Sequence, residues 1–321
     1  MTEIICILFL LGVVLTFIID LLIIHIQTKK ELGQIQRELG PRSHRVKNKT
    51  PTLGGIGFVL TFCFIFLLAK EILNLDINYL MIIFPFVTYS LLGLFDDLII
   101  IISKKNDGIG STLKLFIQIL IAAVYFYFLM ENNHNTEITL FTTTIDIGFL
   151  YGLLILLLFT GFSNATNLTD GLDGLLGGCS VICLFGLFII SLAINLEVSI
   201  IILLLISTLF GFLIWNYPKA KIFMGNIGAY GIGAFIVTIC IVLRLEIYLF
   251  IIGGIFILET LSVMLQVGYF KLTKGKRIFK MAPLHHHFEM CGYKEHEVLH
   301  MFYIIEIVFV YIAILLFQMI R

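Results

Sequence analysis

Three polar strings interrupt an otherwise apolar chain, and their residue types are those of a reactive site. Asp96 and Asp97 put two carboxylates side by side, a pairing suited to proton abstraction or to an Mg2+-phosphate site. Asn164, Asn167, Asp170 and Asp173 recur every three residues, with Gly171, Leu172 and Gly174 between and after the aspartates. On a helical turn these four polar groups would share one face, and on a short loop they would line one wall. Glycines there let backbone approach a ligand closely. Amides and carboxylates together can read a base edge, and a carboxylate can accept from an imide N–H such as that of uracil.

The third string, residues 280–289, contains Ala282, Pro283 and then His285-His286-His287. Side chains of adjacent residues diverge, so three histidines in a row are poor tetrahedral ligands for one metal. Phosphate binding or proton transfer suits them better. Lys276 and Arg277 add positive charge for a pyrophosphate. Two weaker signals accompany these strings. Asn216, Phe223 and Gly225 lie in a short loop where Phe223 could offer an aromatic platform to a base. Thr52 and the glycines at 54 and 55 open an apolar run just after Arg45, Lys47 and Lys49, a pattern compatible with phosphate at a helix start.

The elements that must position these groups are membrane helices. The chain is 60% hydrophobic and 13% charged, and its mean hydropathy of +1.06 excludes an ordinary water-soluble domain. Apolar runs predict ten spans, at about 4–26, 55–69, 79–95, 114–130, 148–162, 176–194, 199–214, 229–243, 247–268 and 299–319. No dyad alternation of a β-barrel accompanies them. The ninth contains Gly253-Gly254, Glu259 and Gln266 and is expected to bend or break. The first is read as a retained helix rather than a cleaved leader. No linker or internal repeat divides the chain, so residues 1–321 form one polytopic, all-α unit. The six cysteines are scattered, and Cys179 and Cys183, one turn apart, are read as packing residues.

Charge gives an orientation. Segments 27–54, 96–114, 216–228 and 269–298 hold 18 of the 21 Lys and Arg residues, which places them in the cytoplasm and both termini outside. All the polar strings then share the cytoplasmic face. A transporter would gather its polar groups near the bilayer midplane instead.

With its motifs assembled, the chain resembles the polyprenyl-phosphate N-acetylhexosamine-1-phosphate transferases, and among them the phospho-N-acetylmuramoyl-pentapeptide transferases. The likeness runs through Thr50-Pro51-Thr52-Leu53-Gly54-Gly55, Phe95-Asp96-Asp97, the run from Ser163 to Gly174, the run from Trp215 to Gly225, and Met281-Ala282-Pro283-Leu284-His285-His286-His287-Phe288-Glu289. The resemblance implies a bacterial plasma-membrane enzyme, commonly a homodimer, that moves phospho-MurNAc-pentapeptide from UDP-MurNAc-pentapeptide to undecaprenyl phosphate. The products are lipid I and UMP, the cofactor is Mg2+, and uridine-type nucleoside antibiotics are the expected inhibitors. It implies no nucleic acid polymer as a partner. Asp96, Asp97 and His285 take the catalytic positions. Lys47, Thr52, Lys114, Asn164, Asn167, Asp170, Gly171, Leu172, Asp173, Asn216, Phe223, Gln266, Ala282, His285 and His286 take substrate positions, with Asp173 and Phe223 at the uracil. Asn226 stands where the family usually has an aspartate that ligates Mg2+, which keeps a carbonyl oxygen and loses the charge. A relative acting on another UDP-sugar, or a weakened or silent copy that only binds nucleotide-sugar or prenyl phosphate, is the alternative this departure raises.

Overall fold

The computed structural model describes residues 1–30, 33, 50–76, 78, 80–103, 108–140 and 142–320. Lys47, with Arg45 and Lys49, lies outside the described residues. The helices are α1 (Thr2–Lys29), α2 (Gly55–Leu73), α3 (Leu80–Ser103), α4 (Ser111–Glu131), α5 (Leu150–Thr169), α6 (Leu175–Ser191), α7 (Leu196–Asn216), α8 (Gly225–Val242), α9 (Glu246–Ile252), α10 (Gly254–Leu272), α11 (Leu284–Met290) and α12 (Glu295–Ile320). Among the described residues nine helices are long and apolar enough to cross a bilayer, and α6 is a shorter apolar helix. With α9 and α10 taken as one interrupted segment, these are the ten expected spans.

Small residues set the packing. α8 is the central helix, and it approaches its neighbours through glycine, alanine and hydroxyl contacts of the kind that join helices in lipid. Gly93 of α3 lies against the Asn226–Ile227 backbone, where any Cβ would collide. Thr166 of α5 donates to the Ala229 carbonyl at 2.8 Å. Phe62, Phe86 and Phe235 fill the core between α2, α3 and α8, with edge-on ring centroids 5.0 to 5.8 Å apart.

Three features depart from or refine the sequence reading. First, α3 does not end at the aspartate pair. The apolar stretch after Asp97 carries it on to Ser103, so Asp96 and Asp97 lie within a helix and not at its unfavourable carboxyl end. Second, the ninth span breaks at Gly253, and Glu306 of α12 accepts from the Ile255 amide at 3.0 Å. That carboxylate satisfies a donor the break would leave bare inside the bundle. Third, a hairpin of β1 (Glu137–Leu140) and β2 (Thr143–Asp146) is added between α4 and α5, pairing Glu137 with Asp146 and Leu140 with Thr143. Its Thr and Ile content is a strand signal too short to register against the surrounding helices.

Candidate active site

Asp96 is buried and holds three donors. Its Oδ1 accepts from the Ile109 amide at 2.6 Å, and its Oδ2 accepts from Lys114 Nζ at 2.6 Å and from Asn226 Nδ2 at 2.7 Å. Asp97, one residue on, faces the start of α8. Its two oxygens accept from the Asn226 and Ile227 amides at 3.1 and 3.0 Å. Those amides are unpaired in the helix itself, and the positive end of the helix dipole favours the carboxylate. Gly225 turns the chain there with φ +78°, and a Cβ on it would sit 2.7 Å from Asp97 Oδ2.

The run from 164 to 173 divides between helix and turn. Asn167 Nδ2 donates to Asn226 Oδ1 at 2.6 Å, joining α5 to the aspartate pair. Asn164, one turn back, points to Gln118 Oε1 at 2.9 Å and the Thr160 carbonyl, deeper in the bundle. Asp170 follows the end of α5. Burial first, and then the charges of Asp97 and Asp173, push its carboxyl up to about 7. Asp173 is buried with Leu172. Its Oδ2 accepts from the Ala220 amide at 2.9 Å, and its own amide donates to Glu295 Oε1 at 3.0 Å. Asn216 ties this turn to the next loop, accepting from the Gly174 amide and donating to the Ile222 carbonyl. Half-buried Phe223 pairs with the segment containing Thr52 through backbone bonds to Pro51 and Gly54.

The three histidines fan out on α11, as adjacent helical side chains must. His285 alone is fully buried. Glu259 of α10 takes its backbone amide on one oxygen at 3.2 Å and its Nδ1 on the other at 3.1 Å. The opposite nitrogen, Nε2, has no hydrogen-bond partner among the described residues and lies over Gly171, where a Cβ would overlap it. His286 pairs with Glu289, and His287 accepts from the Lys280 amide. Gln266 commits its amide to the backbone of Ile278 and Phe279, which shapes the loop carrying Ala282.

Sequence reading did not assign Glu259, Glu295 or Gln27, whose side-chain amide bonds both backbone groups of Thr52, to the site. Glu259 was visible as an acid inside an apolar span, a signal of function in itself. The other two carry no local signal.

The arrangement is poorly suited to a divalent cation. Five N–H groups occupy the Asp96 and Asp97 oxygens. Asn226 turns its NH2, and not its oxygen, toward Asp96. Among the described residues no three His, Cys, Asp or Glu side chains converge to hold a metal. The cation within this set, Lys114, is paired with Asp96, and Asp97 takes up the α8 amides.

Comparison with known proteins gives the family. The model of glycosyl transferase family 4 matches residues 79–244, a stretch that contains the aspartate pair, the 164–173 run and Asn226. The phospho-N-acetylmuramoyl-pentapeptide-transferase of Oceanobacillus iheyensis is 40% identical over 316 residues, covering 95% of this chain and 96% of that one. The protein of the same name from Bacillus subtilis is 43% identical over 296 residues, 90% of each. That of Staphylococcus aureus is 39% identical over 305 residues, 93% of this chain and 95% of its own. The chain belongs to glycosyl transferase family 4, and within it to the phospho-N-acetylmuramoyl-pentapeptide-transferases.

Proposed function

We propose that this protein transfers phospho-MurNAc-pentapeptide from UDP-MurNAc-pentapeptide to undecaprenyl phosphate, giving lipid I and UMP. A phosphate oxygen of the lipid attacks the sugar-bearing phosphorus. The bond from that phosphorus to the bridging oxygen breaks, and UMP leaves with the electron pair. Two anions must meet, so the site has to offset their repulsion. Lys114, held in place by Asp96, brings one positive charge to this point, and further positive charge is needed because Asp97 takes up the first amides of α8. The Asp173 turn and Phe223 form the nucleotide end. His285, oriented by Glu259, presents Nε2 toward the turn between the two ends. The observation that carries the reading is the convergence of Asp96, Lys114, Asn167 and Asn226 in one hydrogen-bonded set.

The site faces the cytoplasm on this reading, in keeping with the 18 basic residues of the loops around it. A homodimer and inhibition by uridine-type nucleosides belong to the same proposal. So does Mg2+, which would have to displace N–H groups now on Asp96 and Asp97 and would supply the positive charge this set lacks. The test is UMP release by the purified chain, with and without Mg2+, given undecaprenyl phosphate and either UDP-MurNAc-pentapeptide or UDP-GlcNAc. Release with the first sugar nucleotide alone supports it. Release with UDP-GlcNAc alone, or with neither, overturns it.

A further inference from the structure

Three buried side-chain amides stand at the site end of the bundle, on α1, α7 and α10. Each spends its carbonyl and its NH2 on loop backbone. Asn216 and Gln266 are two of them. The third is Gln27, 7% exposed at the end of α1. Its Oε1 accepts from the Thr52 amide at 2.9 Å, and its Nε2 donates to the Thr52 carbonyl at 2.7 Å. One side chain thereby clasps both backbone groups of one residue, as a neighbouring strand would.

The clasped residue starts a strained turn. Leu53 follows with φ +70°, a left-handed conformation that a non-glycine residue adopts only when its surroundings enforce it. Beyond it, the Gly54 and Gly55 amides donate to the Phe223 and Met224 carbonyls at 2.9 and 2.8 Å, and the Phe223 amide donates to Pro51 at 2.8 Å. These bonds fix the approach to Gly225, the residue whose turn delivers the Asn226 and Ile227 amides to Asp97. Thr52 Oγ1 comes within 3.4 Å of an ideal Cβ on Gly225. Gln27 holds one end of this strip, and the start of α8 holds the other.

We infer that Gln27 is a positioning residue of the catalytic centre, acting through Thr52 and the 51–55 turn on the amides that hold Asp97. It lies outside the stretch matched by the family model, which begins at residue 79. The inference rests on the transferase reading for its effect on rate, and on the geometry alone for its effect on the turn. The Asp173 turn is tethered separately, by Asn216 and Glu295, while Phe223 is shared between the strip and the nucleotide end, so losing the clasp should lower turnover by more than it weakens nucleotide affinity.

The test uses the full chain in lipid nanodiscs with Gln27→Leu, which keeps bulk and loses both bonds. Gln27→Glu serves as a second variant, which keeps the acceptor for the Thr52 amide and loses the donor. The first measurement is amide hydrogen exchange over residues 51–55 and 223–227. Both variants should exchange faster there than the native chain, the leucine more so. The second pairs kcat, normalised to UDP-binding-competent protein, with the Kd for UDP. Displacing a supporting shell by an ångström costs up to about 100-fold in rate, so kcat should fall about tenfold in Gln27→Leu while the Kd stays within about twofold. Unchanged exchange in both variants overturns the inference whatever the activity. So does a kcat that is unchanged once normalised, since the loss would then be one of folding alone. A native chain that releases no UMP defeats the functional reading, and the exchange result still decides whether Gln27 holds the turn.

Discussion

At the scale of single residues, Asn226 decides the charge at the centre of the site. Its amide gives Asp96 a donor and Asn167 an acceptor, a neutral link between an acid and an amide. Asn226→Asp would set a third carboxylate against Asp96 and Asp97. The like charges repel, and a hard divalent cation relieves that repulsion because Mg2+ prefers carboxylate to amide oxygen. The substituted protein should reach half-maximal UMP release at lower Mg2+ than the native chain, turn over faster, and gain a larger Mg2+-dependent rise in melting temperature. Equal metal dependence and equal rates would show that position 226 does not hold the ion. Asp173→Ala should weaken uridine nucleotide binding by about 1–3 kcal/mol, the cost of leaving a buried polar partner unmatched. Isothermal titration with UDP measures it, and an unchanged affinity in folded protein would remove Asp173 from the pocket. Asp96, Asp97 and Asn226 were legible in the sequence because polar residues stand out against apolar runs. Gln27 and Glu259 were not assigned because their partners lie 25 and 26 residues away, and only the packing of the helices brings such pairs together.

At the scale of elements, helix number and approximate position could be read directly from hydropathy, since apolar length is what the bilayer selects. Ends and breaks could not. Residues 98–102 are apolar whether they finish α3 or begin a loop, so hydropathy alone does not place the end of that helix. The hairpin at the opposite end of the bundle from the aspartate pair is anchored by Arg244, which donates to the Asn135 and Glu137 carbonyls at 2.8 and 3.3 Å. Beside it, His134 Nε2 lies 3.1 Å from Tyr151 Oη, whose hydroxyl also reaches Glu246. Burial first, and then the Arg244 charge, press the His134 imidazole down to about 4. The unfolded chain takes up that proton near the ordinary histidine value of about 6.5, and the folded chain resists it. The stabilisation is therefore complete above about pH 6.5 and is lost as pH falls toward 4. Melting temperatures at pH 7.5 and 5 should differ more for the native protein than for His134→Gln. An equal difference would mean that other groups carry the acid sensitivity.

For the whole molecule, the alternation of spans makes a prediction about sides. A cysteine at Lys274 should react only with reagent on the cytoplasmic face, and one at Asn133 only with reagent outside, measured in a chain whose six native cysteines are replaced. Labelling of both from one side would overturn the ten-span arrangement. The assembled site also has a history in time. Asp97 is separated by 129 and 130 residues from the two amides that satisfy it. A ribosome adding about 5–20 residues per second needs roughly 6 to 26 s to cover that distance. Throughout that interval α3 is already made while α8 does not exist. Ile109 and Lys114 can already serve Asp96, but Asp97 lacks its amides, and a bare carboxylate is costly in lipid. The nascent chain must wait with Asp96 and Asp97 at the water's edge, and the arrival of α8 draws them under cover.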